Sequence, residues 1–256
     1  MRPSTPIFVL GSPRSGTSMM GAVLGSSPEV HHLDELAGFY LVWRDLRWGR
    51  ALASHKRDYQ HFLAQATGNY YRTAHDAPFS CDSSPLNLLV VEEIREALPE
   101  AQFILCFRDV SGVSASLKRS YDQGFEWAGS DIFERVELWL RFYRNIARLP
   151  ARSTRVFRYD EFASDPRSRW AALASSLESL GIPSVDPAVL SVSHASGATP
   201  RPTFAEQDTS GGLTLSSGPS GSEPWLDLRG DQEEAVSEVL TMLAALEADG
   251  ATNLSG

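Results

Sequence analysis

Hydrophobic residues follow two rhythms along this chain. Apolar runs at 7–10 and 102–107 have the pattern of parallel strands covered on both faces, and 78–82 and 154–159, though interrupted by polar residues, read as further strands. Between them, apolar positions recur every three or four residues, as on one face of a helix. This spacing predicts helices up to about Leu24, over 86–98 (Leu89, Val90, Ile94, Ala97 and Leu98 on one face), and over 110–121, 132–147, 167–180 and 231–248. The cluster Gly25-Ser26-Ser27-Pro28 ends the first helix. Strands alternating with helices predict an α/β fold, a single domain over 1–249 with a central parallel sheet flanked by helices. Residues 30–77 break the rhythm. They are aromatic and irregular (Phe39, Tyr40, Trp43, Trp48, Tyr59, Phe62, Tyr70, Tyr71) and read as a helical excursion, clearest over 36–77, and not as sheet. The Ser/Thr/Gly/Pro-rich stretch 191–221 predicts a long mobile loop, and 250–256 a flexible tail.

The first strand runs into Gly11-Ser12-Pro13-Arg14-Ser15-Gly16-Thr17-Ser18. A strand–loop–helix junction of this kind aims unpaired backbone N–H groups and the positive end of a helix dipole at one point. That point suits a phosphate-type anion. Gly11 and Gly16 have the spacing of a Walker A loop, but Thr17 stands in place of its lysine, which argues against ordinary ATP hydrolysis. The loop's cation is internal, Arg14, and suits a donor with fewer phosphates in line and no obligatory metal. A plain Gly/Ser/Pro turn is the alternative. The strand before the loop, the apolar helix after it and Arg14 itself weigh against that alternative.

Composition narrows the classes. A chain of 256 residues, 42% hydrophobic and 21% charged, can bury one large globular core. A net charge of −9 argues against general nucleic-acid binding but leaves room for a local basic pocket. Cys81 and Cys106 have neither metal-ligand spacing nor the makings of a disulfide framework, so no metal site is expected. No apolar run approaches membrane-spanning length, and the N-terminal residues lead straight into the first strand. The expectation is a cytoplasmic protein without a membrane span.

Four separated places, between residues 6 and 165, resemble the PAPS-dependent sulfotransferases, in particular their bacterial and tyrosyl-protein branch. Pro13-Arg14-Ser15-Gly16-Thr17-Ser18 resembles the loop that holds the 5′-phosphosulfate of the donor, 3′-phosphoadenylyl sulfate (PAPS). Phe107-Arg108-Asp109 followed by Ser116 resembles the arginine and serine that grip its 3′-phosphate. A guanidinium at the carboxyl edge of a sheet is well placed for that contact, and a hydroxyl two helical turns on can add a donor. Asp34-Glu35 is similar to the segment carrying the tyrosyl-protein enzymes' proposed base, with Glu35 at the matching position. Val156-Phe157-Arg158-Tyr159-Asp160-Glu161-Phe162 resembles the late strand whose tyrosine contacts the donor. There are departures. Ser83, in Asp82-Ser83-Ser84-Pro85, replaces the lysine that many relatives carry near the transferring group, and Val110 replaces a proline. The late nucleotide-closing loop is faint around 217–225, with no basic residue until Arg229.

The resemblance implies transfer of a sulfuryl group from PAPS to a hydroxyl of a small-molecule, sugar or lipid acceptor, leaving adenosine 3′,5′-bisphosphate. It assigns Arg14, Ser15, Gly16, Thr17 and Ser18 to the 5′ end of the donor, Arg108 and Ser116 to its 3′-phosphate, and Tyr159 to a donor contact. Glu35 becomes the base, with burial needed to raise its pKa. Each residue has a plainer reading: Arg14 a turn residue, Glu35 a first-turn helix charge, Ser116 a polar helix residue, Tyr159 a packing aromatic. His31 or His32 could supply the base instead, since the family's cytosolic branch uses histidine. Two other functions stay in view, a catalytically weak nucleotide-binding module, which the loss of the lysine at Ser83 suggests, and a P-loop small-molecule kinase. The acceptor and the oligomeric state are left open by the sequence.

Overall fold

The computed structural model describes residues 3–48, 56–73, 75–182, 190–191, 213–214, 228 and 230–252. Its centre is a five-stranded sheet of β1 (Thr5–Gly11), β2 (Val30–His32), β3 (Phe79–Asp82), β4 (Gln102–Phe107) and β5 (Thr154–Arg158), in the spatial order β2-β3-β1-β4-β5. Every pairing is parallel. The helices between strands are α1 (Thr17–Gly25), α2 (Gly38–Trp48), α3 (Lys56–Thr73), α4 (Val91–Ala97), α5 (Val110–Asp122) and α6 (Ile132–Tyr143). After β5 come α7 (Tyr159–Ser164), α8 (Pro166–Glu178) and α9 (Gly230–Thr252). A separate two-stranded ribbon pairs β6 (Leu190–Ser191) with β7 (Leu213–Thr214).

The unbroken apolar runs are explained by burial on two sides. Side chains alternate across a strand, so Phe8 and Leu10 enter one core while Ile7 and Val9 enter the other. Phe103, Leu105 and Phe107 follow the first pair; Ile104 and Cys106 follow the second. The first core is closed by α4, α5, α6 and α9, the second by α1 and α8. Both cysteines are buried and free, and burial pushes their thiol pKa values up, so they pack as small hydrophobes.

One expectation is corrected. Residues 30–32, taken with the helical excursion, form β2, the edge strand beside β3. Three residues are too few to show a period, and only Val30 of the three is buried. The block 36–77 does carry helices, α2 and α3. The predicted helix over 86–98 splits into a 3₁₀ turn, Pro85–Val90, capped by the Ser84 side chain, and α4. Helix α9 continues through Thr252 into the segment expected to fray. Of the stretch 191–221 only residues 191, 213 and 214 lie among the described residues, and the faint loop over 217–225 and Arg229 lie outside them.

Candidate active site

Because all five strands are parallel, their carboxyl ends share one edge. The loops and helices that follow that edge carry the expected donor residues and base: Arg14 to Ser18 after β1, Glu35 after β2, Arg108 and Ser116 after β4, and Tyr159 after β5, with Ser83 after β3, while His31 and His32 lie within β2. A shallow cavity of about 390 Å³ lined by Glu92, Arg95, Glu96 and Pro150 lies by the starts of β4 and β5, near Phe103 and Ser153, and holds none of them.

The first loop is wound tightly. Arg14 has φ 73° and Gly16 φ 97°, both in the left-handed region. Glycine adopts that region freely; an arginine there carries strain of about 1–3 kcal/mol that its surroundings must offset. Gly16 has a second constraint, since a Cβ would lie 2.4 Å from the Tyr159 ring. Ser15 is turned inward. Its amide and its hydroxyl both donate to the Ser12 carbonyl, at 3.1 and 2.7 Å. The loop's outward donors are therefore further on. The first helical bond runs from the Met20 amide to the Gly16 carbonyl, so the amides of Gly16, Thr17 and Ser18 precede it at the head of α1, where the helix supplies them no partner.

Arg14 reaches across the edge to the β4 loop. Its Nε donates to Ser116 Oγ at 3.2 Å, and Arg108 Nη1 donates to the Arg14 carbonyl at 3.2 Å. The two arginines expected to hold opposite ends of a donor thus meet, although 94 positions separate them. Arg108 is held firmly. Its amide donates to the Tyr143 hydroxyl, its carbonyl accepts from the Trp139 indole, and its guanidinium lies 4.6 Å from the centre of the Tyr159 ring. Asp160 completes the grip: one carboxylate oxygen accepts from Arg108 Nε at 3.1 Å and the other from the Asp109 amide at 3.0 Å. Burial, and the nearby Asp109 carboxylate, push Asp160 up to about 6. Burial works against Asp109 as well, but hydrogen bonds from Asp160, Ser111 and the Gly112 amide, together with the Arg108 charge, hold Asp109 down. Asp109 also caps α5, accepting from the Gly112 amide at 2.7 Å.

A third guanidinium was missed in the sequence. Burial, and then the charge of Arg108, push the pKa of Arg119 down, while Tyr159 pulls it the other way. Arg119 is exposed, and the charges of Arg108 and Tyr159 are near enough to act on it. The available signal was its position three residues after Ser116, on the same face of α5. Clustered like charges of this kind suit an anion between them, and they make a basic spot in a chain of net charge −9.

Glu35 sits on the other side of the first loop. Ser18 Oγ donates to Glu35 Oε1 at 3.1 Å. Burial pushes the carboxyl pKa up; the Ser18 bond opposes this, and the charges of Asp34 and Asp82 add to the rise. The two histidines part company. His31 stacks on His75, with ring centres 3.6 Å apart. His32 turns inward, its Nε2 3.0 Å from Ser83 Oγ, and Ser83 donates in turn to the Asp34 carbonyl at 3.2 Å. A Cβ at Gly21 of α1 would lie 2.5 Å from that imidazole nitrogen, so a glycine is what lets His32 and Ser83 pack there. Burial lowers the pKa of His32, with Asp34 opposing. Among the described residues no group of His, Cys, Asp and Glu could hold a metal ion, and no helix is long and apolar enough to cross a membrane.

The chain is similar to known proteins in sequence and in fold. A Caenorhabditis briggsae protein that bears the provisional name protein-tyrosine sulfotransferase is 30% identical over 118 residues, 43% of this chain and 42% of that relative. The chain thus matches under half the length of this curated relative. Among solved structures, the sulfotransferase domain of the Synechococcus PCC 7002 olefin synthase aligns over 93% of this chain and 95% of its own, with a TM-score of 0.53 at 17% identity. The sulfotransferase domain of the curacin biosynthetic pathway aligns over 73% and 77%, with a TM-score of 0.51 at 18% identity. At such identities the two structures speak for the fold alone. The profile of the Sulfotransferase family matches residues 6–186, from β1 past α8, and the chain belongs to that family.

Proposed function

We propose that this protein transfers the sulfuryl group of PAPS to a hydroxyl of a small-molecule, sugar or lipid acceptor by in-line displacement. The reading rests on one observation: at the carboxyl edge of a parallel sheet Arg14 donates to Ser116 while Arg108 donates to the Arg14 carbonyl, with Arg119 within electrostatic reach of Arg108. Arg108, Arg119 and Ser116 would bind the 3′-phosphate, a group suited to bidentate guanidinium contact. Arg14 and the amides of Gly16, Thr17 and Ser18 would bind the 5′-phosphosulfate and carry the charge that grows on the leaving oxygen. PAPS supplies an activated sulfuryl group. The acceptor oxygen bonds to sulfur as the bond to the bridging phosphate oxygen breaks, and adenosine 3′,5′-bisphosphate leaves with the electron pair. Glu35 would take the acceptor's proton, and its raised pKa makes it a better match to an alcohol than an ordinary carboxylate. Tyr159, packed between Gly16 and Arg108, would keep the two halves of the donor site in register. Helices α2 and α3 would line the acceptor side.

Two measurements test this. Adenosine 3′,5′-bisphosphate should raise the melting temperature where ATP with Mg²⁺ does not, because a ligand that binds only the native state stabilises it. The reverse result would favour a small-molecule kinase. Arg14→Ala should cut transfer of labelled sulfate from PAPS by about 10² or more, as removal of a transition-state anion contact does, while the protein stays folded. Turnover near the wild-type rate would sink the assignment. One observation favours a second reading. Ser83 is buried and engaged by His32 and Asp34, and so supplies no cation to the reacting centre. A catalytically weak nucleotide-binding module would bind the bisphosphate and leave a broad panel of hydroxyl acceptors unsulfated.

A further inference from the structure

The segment that carries Glu35 is bent in an unusual way. Asp34 has φ 56° and Ala37 φ 51°, so two non-glycine residues flank the proposed base in the left-handed region. Such a turn persists only where its surroundings over-determine it. Here they do so from the end of β3. The Ser83 amide and hydroxyl both donate to the Asp34 carbonyl, at 2.9 and 3.2 Å. The Ala37 amide donates to Asp82 Oδ2 at 3.0 Å. Tyr71 of α3 donates its hydroxyl to the same Asp82 oxygen at 2.5 Å and accepts from the Gly38 amide at 3.3 Å. Asp82 Oδ1 accepts from the Ser84 amide at 2.9 Å. Asp82 and Tyr71 are both fully buried.

We propose that Asp82 and Tyr71 are positioning residues that lock the 34–37 turn and so hold Glu35 beside Ser18. The proposal rests on the reading of Glu35 as the proton acceptor. Its logic is chemical. Burial pushes the Asp82 carboxyl pKa up, and the donor bonds from the Tyr71 hydroxyl and the Ser84 and Ala37 amides oppose this by favouring the ionised, acceptor-only form. A buried carboxylate without these donors would be costly, so the bond from Ala37, and that from Tyr71, which also accepts from Gly38, couple Asp82 to the turn. The charge also reaches Glu35. Asp34 on its own segment and Asp82 on β3 both push its pKa up, and the Ser18 hydroxyl of α1 pulls it down. One buried group therefore fixes where the base sits and helps to keep it basic.

The test follows the Glu35 carboxyl carbon by ¹³C NMR through a pH titration of the whole protein, with Glu35→Gln to assign the signal. In Asp82→Asn the midpoint should fall by about half a pH unit or more, through loss of the charge and release of the turn. In Tyr71→Phe it should fall less, toward an ordinary glutamate, as Gly38 loses its acceptor and the turn loosens. A wild-type midpoint in Asp82→Asn overturns the proposal. If that variant does not fold, Tyr71→Phe decides: a wild-type midpoint there overturns it. Turnover separates this from the base assignment. Glu35→Gln that sulfates 2-naphthol from PAPS at the wild-type rate would refute Glu35 as the base, whatever the titrations show of the turn.

Discussion

Gly16 faces two demands at once: a left-handed backbone and a Tyr159 ring where a side chain would begin. Gly16→Ala violates both. The expected outcome is a loss of stability of about 1–3 kcal/mol in urea unfolding, as for other strained backbone sites, together with at least tenfold weaker binding of adenosine 3′,5′-bisphosphate. Tyr159→Ala in the same chain should recover part of the stability and not the binding, since Tyr159 also stacks on Arg108. Glu35 makes a prediction of opposite sign. A carboxyl whose pKa is raised on folding binds its proton more tightly in the folded state, so its ionisation costs stability as pH rises past the unfolded value. Glu35→Gln should abolish transfer while leaving the melting temperature at pH 7.5 unchanged or higher; a clear drop would mean that the side chain serves the fold. Several residues of this site were legible in the sequence because a local motif marks them. Arg14 lies between two glycines, and Arg108 ends an apolar run eight residues before Ser116. Arg119, Asp160 and Asp82 were not assigned roles, because their importance comes from neighbours 11 to 52 positions away. No local motif marks those contacts.

The strands divide along the same line. β1 and β4 announce themselves, since both faces are buried and the runs are unbroken. β2 is hidden because an edge strand of three residues buries one side chain and spends the other two on contacts with His75 and Ser83, far along the chain. Those two are histidines, which gives the element a testable pH response. Burial lowers the pKa of His32 below the ordinary 6.5, with Asp34 opposing, and lowers that of His75, stacked on His31, with the charge of His31 acting in the same direction. As pH falls through about 6.5 the unfolded chain takes up these protons before the folded one does. Stability is therefore complete above that range and declines below it. The histidines' share is a drop in melting temperature between pH 8 and pH 5.5, set against the opposite share of Asp160, which is pushed up to about 6 and takes up its proton in the folded state over the same range. His32→Asn, which keeps a hydrogen-bonding group near Ser83, should reduce the drop without removing it, because His75 still titrates. An unaltered drop would show that β2 contributes nothing to it.

At the scale of the whole molecule, the site edge depends on two cores, one on each face of the sheet, and α9 seals the first of them although it lies outside residues 6–186 of the family match. A buried face and an ion pair contribute to the attachment, beside the bonds of Gln232 to α6. Val239 and Leu243 are buried against the core that includes Phe107 and Trp139. Glu247 meets Arg158 of β5 through both oxygens, at 2.8 and 2.7 Å, one residue before Tyr159. The geometry of the ion pair is good, but its side chains are 39% and 32% exposed, and pairs open to solvent contribute about 0–1 kcal/mol. Removing a buried leucine costs the transfer of its side chain and leaves a cavity, about 2–5 kcal/mol together. Leu243→Ala should therefore destabilise the protein several times more than Glu247→Gln in urea unfolding, and bisphosphate affinity measured well below the transition should change less than twofold in either variant. The opposite ranking would mean that α9 is held by charge at its end and not by the core. A large loss of affinity in Glu247→Gln would mean that the helix reaches the donor site through Arg158 and Tyr159. The packed face of α9 predicts neither, since the buried contacts of Leu243 lie on the core beneath the sheet and the residues proposed to bind the donor lie at the sheet's carboxyl edge.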